Sequence, residues 1–213
     1  MARRTKEDAL VTRSLILDTA ELVFERRGVS RTSLKEIAQA AGLTRGAIYW
    51  HFKDKADLFN AMMQRVVLPM EQAVGRSGER ERADPVAHVR QTFIGALRKT
   101  VNDPQVRRVF EIATHKVEYV DELTAVRERR LSVRNSFMGH VVRLLTLAMR
   151  QGTLGRRVPA RAAALGLHAL IDGLIQNWML DQAAFDLVRT GTQVIDTYLA
   201  GLAPAKPSAA RTR

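Results

Sequence analysis

The chain of 213 residues contains no cysteine, which excludes disulfides, thiolate nucleophiles and cysteine-bound metals. No phosphate-cradling G-x-x-x-x-G-K-[ST] loop and no G-x-S-x-G nucleophile elbow occurs anywhere in it. The five histidines are scattered and none completes a Glu-x-x-His pair, so a carboxylate-bridged di-metal bundle has no support. No run approaches the roughly eighteen apolar residues of a membrane helix, and the opening MARRTKED lacks the apolar core of a signal peptide. Strand-like alternation and internal repeats are absent as well. These absences predict an all-α, cytoplasmic, non-enzymatic protein with no cofactor and no metal.

Hydrophobic residues make up 46 % of the chain, enough for a sizeable core in one large or two small domains. The net charge is +12, but residues 1–55 hold eleven Lys/Arg against seven Asp/Glu and so supply only +4 of it, leaving +8 for the rest. A basic excess this diffuse favours polyanions in general without naming one.

The informative stretch is SLKEIAQAAGLTRGAIYWHF, from Ser33 to Phe52. Ser33 and Glu36 have the spacing of a capping box, so a helix starts there. Leu34, Ile37, Ala38 and Ala41 then repeat on one face, and Gly42 supplies the left-handed residue that ends the helix. Thr44 can cap a second helix in which Ala47 and Ile48, and Phe52 a turn later, face inward. Arg45, Tyr49, Trp50 and His51 are left outside. A cationic, aromatic, donor-bearing face of this kind suits a recognition helix in a helix-turn-helix. The same pattern also fits a short αα-corner with two aromatics packed inside.

The wording goes further than the generic motif. TRGAIYWHFKDKADLF, Thr44 to Phe59, resembles the signature of the TetR family of bacterial transcriptional repressors. The opening MARRTKEDALVTRSLILDTAELVFERRGVSRTS resembles the first helix of its multidrug-efflux-pump regulator subgroup, and IDGLIQNWML resembles the eighth helix of that subgroup. The close resemblance covers about the first third of the chain.

Along the rest of the chain, Arg3, Arg4 and Lys6 form a short basic arm. A first helix is predicted from about Thr12 to Arg27, with Ile16, Ala20, Val23 and Phe24 on one face and Gly28 closing it. Asp54 caps a fourth helix, from 54 to about 74, through Phe59, Met62, Met63, Val66 and Met70, with a kink expected at Pro69. GRSGERERAD, residues 75–84, reads as a polar break. Asp84–Pro85 and Asp103–Pro104 each read as a cap followed by a first helical residue. A long seventh helix from about Glu122 to Arg150 ends at Gly152 and Gly155. The eighth, Pro159 to Leu180, is apolar on two faces, and a ninth follows with Phe185, Leu187, Val188, Val194, Ile195, Tyr198 and Leu202. The tail APAKPSAARTR has a composition that predicts disorder.

The resemblance implies a three-helix DNA-binding domain over residues 1–55, a larger ligand-binding and dimerisation domain over 56–203, and a tail at 204–213. It implies that Arg3, Arg4, Thr32, Ser33, Thr44, Arg45, Gly46, Ala47, Tyr49, Trp50, His51, Lys53 and Lys55 face double-stranded operator DNA, with Lys55 on phosphate. It implies a homodimer whose last two long helices pair with their symmetry mates, through Leu167, Leu170, Ile171, Leu174, Trp178, Val194 and Tyr198. A pocket for hydrophobic or amphipathic inducers would be walled by Val67, Met70, Phe93, Ala96, Phe110, Thr114, Phe137 and Val141, with His168, Asp172, Ile175 and Gln176 from the second face of the eighth helix. From the residues alone, that helix equally fits the centre of a monomeric core, and its polar residues fit satisfied core groups. The function implied is a ligand-released repressor of a multidrug efflux operon, or else of a catabolic operon; a helical protein–protein adaptor leaves Arg45, Tyr49 and Lys55 without a purpose. No membrane partner is expected.

Overall fold

The computed structural model describes residues 6–75, 78–118 and 124–204, and the side chains of these outside 67–80. The described residues form helices α1 Lys6–Arg27, α2 Leu34–Ala40, α3 Arg45–His51, α4 Lys55–Gly75, α5 Gly78–Ala83, α6 Pro85–Asn102, α7 Pro104–His115, α8 Thr124–Arg150, α9 Ala160–Leu180 and α10 Leu187–Gly201, and they contain no strand. None of these helices is long and apolar enough to cross a membrane. The all-α expectation holds.

Two departures from the sequence reading stand out. First, α1 begins at Lys6, well before Thr12, because Lys6–Val11 are mostly good helix formers and Glu7 and Asp8 sit in the first turn where the helix dipole favours acids. Second, the polar break at 75–84 contains α5, whose Glu and Arg residues have high helix propensity. Gln151 Nε2 donates to the Arg82 carbonyl at 2.8 Å, fixing the end of that turn from outside. The extra helix shifts the numbering, so the expected eighth helix is α9. The tail from 205 onward and Arg3 and Arg4 lie outside the described residues, as do Glu122 and the side chains of Val67, Pro69 and Met70. α4 is continuous through Pro69.

The chain divides into two compact units. The first holds residues up to 71 and 103–133, the second 72–102 and 134 onward. The boundary at residue 55 belongs to the division of labour proposed for the chain; packing draws a different line, because α7 returns to α1. Val106, Val109, Ile112 and Ala113 of α7 join Ile16, Leu17, Ala20, Phe24, Ile37, Ile48, Phe52, Phe59 and Met62 in one core. Each fully buried aliphatic or aromatic side chain there is worth about 1.5–3 kcal/mol of transfer free energy.

The first unit also buries a charge. Glu21, 2 % exposed, accepts from Gln105 Nε2 at 2.9 Å and lies 3.5 Å from Arg65 and 3.9 Å from Arg108, linking α1 to α4 and α7. Burial nevertheless pushes its carboxyl above the ordinary value, against the Gln105 bond and both arginines.

The second unit packs α6, α8, α9 and α10 around Val89, Phe93, Leu97, Val141, Leu145, Ala148, Leu167, Ile171, Trp178, Ile195 and Leu199. α10 packs against α6 and α9. The close approaches use glycine: a Cβ at Gly191 would run into Leu97, and one at Gly166 into the Tyr198 ring. Tyr198 itself donates to the Ala163 carbonyl at 3.0 Å, and Arg90 grips Asp196 with two nitrogens, Nη2 at 2.9 Å.

Candidate nucleic-acid interface and effector site

The two motif helices are built by local hydrogen bonds. Ser33 Oγ accepts from the Glu36 amide at 3.3 Å while Glu36 Oε2 accepts from the Ser33 amide at 2.8 Å, the reciprocal capping box. These bonds, the Ser33 amide first, together with Arg27 at 2.9 Å, hold the Glu36 carboxyl below its ordinary value. At the other end of α2 the Leu43 amide donates to the Ala38 carbonyl at 2.8 Å and the Gly42 amide to Gln39 at 3.1 Å, a Schellman closure that requires the left-handed φ of +67° at Gly42. Thr44 Oγ1 then caps α3 by accepting from the Ala47 amide at 3.2 Å.

Only Ile48 of α3 is buried. Phe52, 1 % exposed, seats the helix end, with the Arg13 guanidinium 5.0 Å above its ring. Arg45, Gly46, Tyr49 and Trp50 are exposed, Trp50 to 72 %, and Ala47 and His51 are half-buried. The Arg45 guanidinium lies 5.4 Å from the Tyr49 ring, and Trp50 meets the His51 ring edge-on at 4.6 Å. An indole this exposed is an unusual sight on a folded surface and suits a helix whose outer face awaits a partner.

Beside α3 lies an open groove of ≈ 390 Å³, lined by Ser30, Arg31, Thr32, Ser33, Leu34, Glu36, Tyr49, Lys53, Asp54 and Lys55. It corrects two of the expected assignments. The Thr32 side chain is buried and donates to the Gly28 carbonyl at 2.8 Å, so it holds the turn after α1 instead of facing outward. Lys55 is 6 % exposed and its ammonium donates to the Ser30 carbonyl at 3.2 Å; it ties the start of α4 to that same turn at the groove's wall, in place of standing out towards phosphate. Lys53 is the exposed lysine here. A second hollow, of ≈ 270 Å³, gathers Arg26, Arg27, Arg31, His115, Lys116 and Glu118. His115 and Lys116, at the end of α7, escape any local motif, since long-range contacts bring them alongside, among them the Val29 amide donating to the Lys116 carbonyl at 2.9 Å and Ser30 Oγ donating to the Glu118 carbonyl at 3.4 Å.

The expected effector residues fall into both units. Phe110 and Thr114 are half-buried in the first, Phe110 against its core. In the second, Phe93, Phe137 and His168 form a row, with ring centroids 5.5 and 6.4 Å apart, beside buried Val141 and half-buried Ala96 and Ile175. Burial lowers the His168 imidazole below its ordinary value, with Asp172 opposing and Arg134 assisting, which keeps the ring neutral near pH 7. Asp172, expected on a buried stripe, is exposed and accepts from Gln176 Nε2 at 2.6 Å.

The sequence reading has α9 buried on two faces; the structure buries one side of it and leaves the other exposed. Leu167, Ile171 and Trp178, expected at the dimer interface, are 0, 4 and 5 % exposed within their own chain and pack in the core of the second unit. Leu167 has no accessible surface to give to a partner, and Ile171 and Trp178 have little. Leu174 and Tyr198 are half-buried against the same core, Val194 is half-buried, and Leu170 alone of that set is an exposed apolar residue, at 40 %. The outer face instead carries Leu165 at 49 % and Leu180 at 76 %, with exposed Ala162 and Ala169.

The comparisons agree with this architecture. Residues 16–62 match the model of the bacterial regulatory proteins of the tetR family, and residues 84–204 match that of the MAATS-type transcriptional repressor C-terminal region. The HTH-type transcriptional regulator TtgR of Pseudomonas putida is 37 % identical over 93 % of this chain and 95 % of its own length. Among solved structures, NalD, the secondary repressor of the MexAB-OprM multidrug efflux pump in Pseudomonas aeruginosa, superposes with a TM-score of 0.86 at 35 % identity, over 94 % of this chain and all of that one. The SmeT–triclosan complex superposes at 0.81 with 32 % identity, covering 92 % of this chain and 93 % of SmeT. Coverage of both chains nearly end to end, and family models matching both the motif and the region after it, mean that this chain belongs to the TetR family of bacterial transcriptional regulators.

Proposed function

We propose that the chain is a ligand-responsive repressor that binds a palindromic operator as a homodimer and controls a multidrug efflux operon. The observation that carries this reading is α3: a helix capped at Thr44, seated by Ile48 and Phe52, and exposing Arg45, Tyr49 and Trp50 beside a polar groove. Arg45 is the base-reading candidate, since it stands in the first turn of the helix where a good bidentate contact is worth about 1–3 kcal/mol. Lys53, Arg31 and Ser33 are the phosphate candidates around the groove, and Gly46 lets the backbone of α3 come close. The efflux operon is supported by the kinship with NalD, whose own target is such a pump.

Competition binding of the full-length protein to upstream DNA of its own and neighbouring genes, across salt concentrations, tests the reading. Arg45→Ala should abolish preference for the operator over random DNA, and Lys53→Ala should weaken both about equally and reduce the salt slope by about one unit. Wild-type protein that shows no operator preference would overturn the proposal.

For the homodimer, the exposed Leu165, Ala169, Leu170 and Leu180 of α9 are the apolar surface at hand. For the effector, the row of Phe93, Phe137 and a neutral His168 suits a flat hydrophobic or amphipathic molecule, with Asp172 and Gln176 one and two turns on. Such a molecule releases DNA only through its different affinities for two conformers; a tenfold loss of operator affinity needs about 1.4 kcal/mol of coupling. α4 carries the chain from the first unit into the second, as α8 does later, and is the covalent route for that coupling that starts beside α3.

A further inference from the structure

We propose that Glu81, His88 and His140 form a binding site for a divalent transition-metal ion of the zinc type within the second unit. The three residues come from α5, α6 and α8, far apart in sequence, and one ligand atom from each lies within 4.8 Å of the other two. His88 Nε2 is 3.2 Å and His140 Nε2 3.5 Å from the same oxygen, Glu81 Oε1. Ligand atoms around a tetrahedral zinc with bonds of about 2.0–2.1 Å are about 3.3 Å apart, so these separations are those of a tetrahedron's edges.

A simple histidine–carboxylate hydrogen bond does not account for the cluster. Glu81 Oε1, His88 Nε2 and His140 Nε2 are each sealed from solvent, and none has a hydrogen-bond partner in spite of the short separations. The two rings lie 6.1 Å apart, edge to face, and both Nε2 atoms approach the same Glu81 oxygen. Three buried polar atoms converging without mutual satisfaction are costly, and one cation satisfies them together. The side chains are 15–17 % exposed, enough for an ion to enter.

The donor set selects the ion. Two imidazoles and one carboxylate suit Zn(II), Co(II), Ni(II) or Cu(II), whereas Mg(II) and Ca(II) require an oxygen cage. Three protein ligands leave a fourth position for water. One nearby charge opposes binding. Arg143 Nη2 lies 3.4 Å from His140 Nδ1, the atom that carries the proton once Nε2 is on the metal, so the arginine must swing away; being exposed, it has room to do so. A bound ion would pin α5 to α6 and α8.

The test uses full-length protein stripped with chelator and does not involve DNA, so its outcome is separate from that of the operator assay. Zn(II) titrated against a colorimetric chelator should bind at about one ion per chain, Mg(II) should not compete, and Co(II) should give the intense visible bands of a four- or five-coordinate site. Glu81→Gln, nearly isosteric, and His140→Asn should each weaken Zn(II) by about tenfold or more, since even outer-shell changes cost that much. Absence of stoichiometric Zn(II) binding by the wild type, or binding unchanged in both variants, would overturn the proposal. Should His140→Asn fail to fold, the Glu81→Gln titration and the wild-type Co(II) spectrum decide alone.

Discussion

The two units are held together by different means. In the first, the two seven-residue motif helices are fixed end by end: Ser33 and Thr44 cap α2 and α3, Asp54 caps the following α4, Gly42 closes α2, and Lys55 and Thr32 tie the intervening turn to backbone carbonyls. A charge, Glu21, is buried among arginines at its centre. In the second, α6, α9 and α10 press together through side-chain volume, with Gly191 against Leu97 and Gly166 against Tyr198. A seven-residue helix that buries one side chain cannot be placed by packing alone, so α3 depends on its caps; a 21-residue helix such as α9 can be placed by its buried face.

If the contrast is right, the largest single effect on stability should lie in the second unit. Trp178→Ala removes a large, 5 % exposed side chain from its core and should cost about 3–5 kcal/mol in urea unfolding. Were Trp178 a dimer contact instead, the variant would shift the monomer–dimer balance and leave the monomer's stability intact; sedimentation and unfolding together separate the two. Leu165→Glu together with Leu180→Glu should do the converse, weakening dimerisation with little loss of monomer stability, because both side chains are already exposed.

A smaller effect is expected from the caps. Ser33→Ala and Thr44→Ala should each cost about 1 kcal/mol. In the first unit that loss should appear disproportionately in operator affinity, since it loosens α2 and α3 themselves. Amide hydrogen exchange would show faster opening confined to residues 33–52 if this is so, and uniform acceleration across the chain if it is not.

The smallest effect concerns Glu21. Its folded-state carboxyl is raised above the ordinary value by burial, so the folded chain holds that proton more tightly than the unfolded chain does. Ionisation is therefore the unfavourable state: stability gains as pH falls through the raised value, and the penalty is fully present above it. Glu21→Gln should make the chain slightly more stable at pH 7, with the advantage vanishing near pH 4, as read from melting temperatures at the two pH values. A less stable variant at pH 7 would mean that the ion pairs with Arg65 and Arg108 outweigh the desolvation.

How legible each region was follows from the same contrast. Caps, the glycine stop and the inward positions Ile48 and Phe52 were readable between residues 33 and 52 because they act between residues at most a few positions apart. The helix starts at Pro85 and Pro104 were equally local. α9 was not. Its sequence is apolar on both faces, and periodicity has no means of saying which face meets α6 and α10 and which meets solvent; the packing placed Trp178 inside and Leu165 outside. Lys55 misled for a related reason, since a lysine at a helix start looks solvent-bound until the turn at Ser30 comes within reach.

By itself, then, the sequence determined that the chain is all-α, where α2 and α3 start and stop, and which helix presents arginine and aromatic groups outward, because each of these is set by backbone chemistry within a turn or two. Tertiary structure alone decided which side of α9 is core, that α7 joins the motif's unit, that Lys55 and Thr32 brace a turn, and that Glu81, His88 and His140 converge. Those depend on contacts between segments tens of residues apart, for which no local spacing exists to be read.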